Sequence, residues 1–155
     1  MTRTRVRIAL SLALLALAAI RPGVVVAHPE PPRALDAAGI RASLERLRVT
    51  GSVLYVGAHP DDENNALLAW FANGRRVETA YLSMTRGDGG QNLIGSDTGT
   101  LLGVLRTQEL IAARRVDGGE QFFTRALDFG YSKTPEETFD IWGHEKILSD
   151  VVWVI

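Results

Sequence analysis

The chain has 155 residues, 46% of them hydrophobic and 23% charged, which is the composition of one globular domain. Its formal net charge of −1 points to no nucleic-acid or acidic-membrane partner. It contains no cysteine, so disulfides and thiolate metal sites are excluded, and histidine and carboxylate are left as the strong ligands.

The N-terminus reads as an address rather than as fold. "MTRTRVR" carries Arg3, Arg5 and Arg7, and the apolar run "IALSLALLALAAI" follows from Ile8 to Ile20. Val25 and Ala27 then have the spacing of a signal-peptidase site, so residues 1–27 are expected to be a secretory signal peptide cleaved after Ala27. An anchoring span is the alternative, but the run is short for a bilayer and is interrupted by Arg21 and Pro22. Export to the periplasm or the extracellular space follows, with no stable membrane span after cleavage.

Residues 28–50 are expected to form an extended lead-in, "HPEPPR", and then a helix capped by Asp36, with Leu35, Ile40, Leu44 and Leu47 at near-helical spacing. "GSVLYVGA" (51–58) is a short apolar and β-branched run between glycines and reads as a fully buried strand. "NALLAWFANG" reads as a helix closed by Gly74, and "RRVETAYLSM" as a second strand with Val77, Ala80 and Leu82. A glycine-rich loop, "TRGDGGQNLIGSDTGT", precedes an amphipathic helix over 101–116 with Leu101, Leu105, Leu110 and Ile111 near its inner face. "EQFFTRAL" reads as a third strand. Thr134, Pro135 and the acids after them start a last helix, whose apolar positions Phe139, Trp142, Ile147 and Val151 run nearly to the end.

Strand and helix alternate throughout, which predicts an α/β, Rossmann-like three-layer sandwich with a mostly parallel sheet. No strand follows the final helix, so the domain at 51–155 is expected to be C-terminally incomplete, the N-terminal part of a longer fold. In such sheets ligands bind beyond the carboxyl ends of the strands. "AHPDDE" stands at that end of the first strand and "TRGDGG" at that end of the second, so both loops face one cleft.

His59, Asp61, Asp62 and Glu63 crowd three acids and an imidazole after a buried strand, a costly arrangement unless a cation or a reaction uses it. A histidine and a carboxylate three residues apart can meet on one ion across a tight turn, for which Pro60 pre-sets the backbone. Nitrogen and oxygen donors without thiolate suit catalytic zinc, although iron or another divalent ion also fits such a pair. Of two adjacent aspartates, one can bind metal while the other acts as base, and Glu63 could orient the histidine from behind. The plainer reading is a strand-capping histidine followed by acids that favour the next helix N-terminus.

"AHPDDE" after a hydrophobic strand resembles the signature of the PIG-L/LmbE-like family, zinc-dependent de-N-acetylases acting on N-acetylglucosamine-type conjugates. "TRGDGG" and "RTQELIAA" are similar to that family's next two blocks, and the resemblance covers roughly residues 52–130. It implies that His59 and Asp62 are metal ligands and that Asp61 is the general base. Arg106, in the R-x-x-E pattern with Glu109, is implied to hold substrate. It also implies Zn2+ as cofactor, with a third ligand from a histidine in a later Gly/His/Asp-rich loop, and a histidine on the acid side. No such loop occurs in the 155 residues. His144, in "IWGHEKIL", and His28 are the remaining histidines, and both read better as surface residues.

Asp88 and Arg86 in the glycine loop are candidate contacts to a sugar hydroxyl or an anion, against the alternative of a capped turn. The loop lacks a P-loop lysine, and no serine sits in a nucleophile elbow. Trp70, Phe71, Phe122, Phe123 and Trp142 read as core rather than as a sugar platform. The expectation is therefore a zinc-dependent amide hydrolase that deacetylates a small-molecule amino-sugar conjugate. The alternative is a non-catalytic carbohydrate-binding or scaffold module on the same fold.

Overall fold

The computed structural model describes residues 34–155. The expected signal peptide, the proline-rich lead-in to Arg33 and His28 lie outside the described residues. Helix α1 (Ala37–Arg46) begins where the sequence predicts, with the Asp36 carboxylate accepting from the Gly39 N–H at 2.8 Å. Its apolar stripe covers no core, since Leu35, Ile40, Leu44 and Leu47 are all more than half exposed.

Three strands form one parallel sheet in the order β1 (Ser52–Gly57), β2 (Glu78–Ser83), β3 (Glu120–Phe123). The register runs from Ser52 opposite Glu78 to Gly57 opposite Ser83, and then from Ala80 opposite Glu120 to Ser83 opposite Phe123. The central strand is the buried one, with Thr79, Tyr81, Leu82 and Ser83 shielded from solvent. The expectation of a fully buried first strand is corrected: β1 is an edge strand among the described residues, and Val56 is 49% exposed. An apolar run reports that a strand is largely covered, not where it lies in the sheet.

Helix α2 (Asn65–Ala69) is capped by Asn64 and continues into a wider π turn at Trp70–Gly74. Gly74 does not close it. The Arg75 N–H reaches the Trp70 carbonyl at 2.9 Å, and the left-handed residue is Arg76, at φ 60°. Helix α3 (Thr100–Asp117) packs on α2 and β3, burying Leu102, Gly103, Leu110, Arg114 and Asp117. Of the predicted inner face, Leu110 is buried and Ile111 partly so, but Leu101 and Leu105 are exposed at 63% and 44%. One residue of phase is about 100° of helix, and Leu102 and Gly103 take the buried positions, Gly103 close against Asp88. The core is the cluster of Leu68, Tyr81 and Leu110, with Tyr55 and Phe123 against it. Each such leucine contributes about 1.5–3 kcal/mol by leaving water.

The last predicted helix is two helices. Thr134 caps α4 (Pro135–Trp142), the chain turns at Gly143 (φ 78°), and α5 (His144–Val154) follows. Only Ile147 of α5 is fully buried. Asp150 ties α5 to the segment after β3, because its Oδ2 accepts from the Arg125 N–H at 2.8 Å and its Oδ1 lies 2.7 Å from Arg125 Nη2. Among the described residues no helix is long and apolar enough to cross a membrane.

Candidate active site

The loop after β1 is built to present side chains. The Asp62 N–H reaches back to the His59 carbonyl at 3.3 Å, closing a tight turn over Pro60 and Asp61. The Asp62 carboxylate folds onto the same residue: Oδ2 accepts from the His59 N–H at 2.8 Å and lies 3.5 Å from Nδ1 of its ring. Two tyrosines hold the turn from below. Tyr55 donates to the Asp62 carbonyl at 3.3 Å, and Tyr81 donates to the His59 carbonyl. Burial pushes the Tyr81 hydroxyl well above its ordinary pKa, so it stays a donor. A Cβ on Gly57 would stand 2.6 Å from the Tyr81 hydroxyl and 2.9 Å from Asp62 Cβ, so the strand must end in glycine for this turn to form.

The adjacent aspartates diverge as the sequence suggests. Asp61 points outward, its side chain 72% exposed, with Oδ2 3.7 Å from Nη1 of Arg106 on α3. His59, Asp61, Gly87, Arg106, Asp128 and Tyr131 share one cleft of about 480 Å³ at the carboxyl ends of β1 and β2. On the far side of Asp61, Arg106 and Glu109 line a smaller recess of about 290 Å³. The loops are joined by the Thr85 N–H, which donates to the Ala58 carbonyl at 3.0 Å and carries the sheet ladder one step past its last residues.

Three expected residues lie elsewhere. Glu63 does not face His59: its side chain is 5% exposed and lies 3.4 Å from Arg114, which also holds Asp117 at 2.7 Å and donates to Asn65 at 2.8 Å. Arg86 donates to Thr107 at 3.0 Å and lies 4.3 Å over the Phe123 ring. Asp88 accepts from the Asp128 N–H at 3.4 Å. Arg86 and Asp88 line a separate cavity of about 580 Å³, together with Gly103 and Leu127. That cavity is the larger one, but neither His59 nor Asp61 lines it. His144 is a surface residue, with its Nδ1 3.1 Å from Glu145 and its ring edge-on to Phe139. Asp128 is the residue that sequence reasoning missed. A lone aspartate in "ALDFG" carries no local signal, and only the fold brings it to His59, with Oδ1 3.7 Å from Nε2.

Among the described residues no group of three or more His, Asp or Glu side chains is arranged to hold a metal ion. The pair His59 and Asp62 nevertheless fits two corners of one. Tetrahedral zinc with N and O donors sets those atoms about 3.4 Å apart, and Nδ1 and Oδ2 are 3.5 Å apart. A neutral imidazole has a single N–H, yet His59 meets a carboxylate at each nitrogen. A proton or a metal cation between Nδ1 and Asp62 removes that mismatch.

The chain is an α/β protein with a parallel sheet, and its histidine–aspartate turn stands at the carboxyl ends of the strands, where such sheets bind ligands. The family model described as PIG-L, GlcNAc-PI de-N-acetylase, matches residues 54–155, and the chain belongs to that family. Among solved structures it is similar to GalB, the 4-carboxy-2-hydroxymuconate hydratase from Pseudomonas putida KT2440, at 20% identity and a TM-score of 0.47. That similarity covers 59% of this chain and 40% of the hydratase chain. No curated protein matches.

Proposed function

We propose that this chain carries the water-activating part of a zinc-dependent hydrolase that removes an acetyl group from an N-acetylglucosamine-type conjugate. The observation that carries the reading is the divergence of Asp61 and Asp62. Asp62 folds back to 3.5 Å from His59, while Asp61 points outward into the cleft that His59 lines, 3.7 Å from Arg106. A structural cap needs only the first of these; a metal-assisted hydrolysis needs both. Membership of the PIG-L family supports the reaction class.

His59 and Asp62 would hold the metal, and zinc bound there would supply a lowered water pKa and a polarised acetamide carbonyl. Asp61 takes a proton from the attacking water as its oxygen joins the acetamide carbon. The C–N bond then breaks, acetate leaves with that oxygen, and both protons of the water end on the departing amine, the first of them by way of Asp61. Arg106 anchors Asp61 at the cleft mouth and offers its remaining N–H groups to hydroxyl or anionic parts of the conjugate. The leader at residues 1–27 puts this chemistry outside the cytoplasm, with the catalytic domain beginning near residue 51.

The test is acetate release and zinc content of the full chain against Asp61→Asn. Acetate release should fall by about 10²–10⁴-fold while zinc content stays the same. Undiminished release by the variant removes Asp61 as the base.

A further inference from the structure

The contact between Asp128 and His59 is built, not incidental. The Asp128 side chain is 4% exposed, and among the described residues His59 is the one basic side chain within 4 Å of its carboxylate. A buried carboxylate without a partner is costly, so its environment defines what it is for. Its orientation is fixed independently of His59, because Oδ1 accepts from the Gly130 N–H at 2.9 Å. Its backbone is fixed as well. The Asp128 N–H donates to Asp88 at 3.4 Å, and its carbonyl lies so close over the glycine loop that a Cβ on Gly89 would clash with that oxygen. Asp88 and Gly89 therefore hold Asp128 in place, although Asp88 does not itself line the His59 cleft.

We propose that Asp128 is the positioning residue of the centre: its carboxylate takes the Nε2–H of His59 and so fixes the tautomer and ring plane that present Nδ1 beside Asp62. The role expected of Glu63 passes to a residue 65 positions further along the chain. Asp128 meets the ring at the nitrogen opposite the one facing Asp62, so its contact with His59 is an orienting contact rather than a further ligand bond. At 3.7 Å the pair is longer than a hydrogen bond, and such contacts tighten when a site is loaded. The inference rests on the reading of His59 as a metal ligand.

Zinc affinity of the full chain, measured by competition with a chromophoric chelator, tests it in wild type, His59→Ala, Asp128→Asn and Asp128→Ala. Melting of the zinc-free proteins is followed in parallel. Asp128→Ala should weaken zinc up to about a hundredfold, and Asp128→Asn, which keeps a neutral acceptor in place, roughly tenfold. The asparagine variant should do so without losing its zinc-free melting temperature, which a merely structural role would lower instead. If Asp128→Ala does not fold, Asp128→Asn decides alone. Wild-type affinity in a folded Asp128→Asn overturns the positioning role. Wild-type protein that binds no zinc, or binds it equally well in His59→Ala, overturns the metal reading itself.

Discussion

Arg114 is 3% exposed in its side chain and faces two carboxylates, Glu63 at 5% and Asp117 at 7%. The two are not equal partners. Asp117 Oδ2 lies 2.7 Å from Nη2 and accepts from Nε at 2.9 Å, whereas Glu63 Oε1 is 3.4 Å away and Glu63 Oε2 has no hydrogen-bond partner. The triad holds one positive and two negative groups, so removing the arginine leaves two buried anions, while neutralising Glu63 leaves a matched pair. Arg114→Met should therefore cost about 3–5 kcal/mol, the usual loss when one member of a buried pair is removed. That is about 10–20 °C in melting temperature for a domain of this size. Glu63→Gln should cost no more than about 1 kcal/mol, because the bond it weakens is long and the charge it removes is the surplus one. Urea titration of both variants and wild type, at constant m-value, measures the asymmetry. A Glu63→Gln loss equal to that of Arg114→Met would refute the reasoning. Glu63→Gln should also retain the zinc content of wild type, since its carboxylate faces away from His59.

Two further outcomes follow from the packing. Gly57→Ala forces a methyl into the space held by the Tyr81 hydroxyl and Asp62 Cβ; thermal denaturation should show a loss of about 1–3 kcal/mol, and zinc binding should weaken with it. Asp150 has its carboxyl held below the usual carboxylate range, first by the Arg125 side-chain hydrogen bond and then by the Arg125 N–H. A depressed folded pKa gives stability that is present above the unfolded value, near 3.9, and lost as pH falls through the folded one. Asp150→Asn should thus melt below wild type at pH 7, and the gap should close in strong acid; a gap that persists there sinks the linkage.

Much of this site could be read from residues 53–65 alone, because its geometry is local. A strand, a proline and a four-residue turn bring His59 and Asp62 together, with Tyr81 only bracing the turn from below, and the adjacent aspartates diverge. Helix starts were legible for the same reason, since Asp36 and Thr134 bond to N–H groups three residues on. What failed was non-local. Which residues of α3 are buried depends on the elements it packs against, and the burial of β1 depends on which strands flank it. Glu63 and Arg114 are 51 residues apart, and nothing near either one announces the other.

The sequence by itself determined the α/β alternation, the parallel sheet and the pairing of His59 with Asp62, all set by periodicity and short-range hydrogen bonding. Tertiary structure alone decided that Glu63 pairs with the buried Arg114, that Arg86 and Asp88 line another cavity, and that Asp128 stands behind His59. Each of those depends on a charge finding its partner across the fold. Burial makes such partners obligatory, but chain spacing does not encode which residue supplies them.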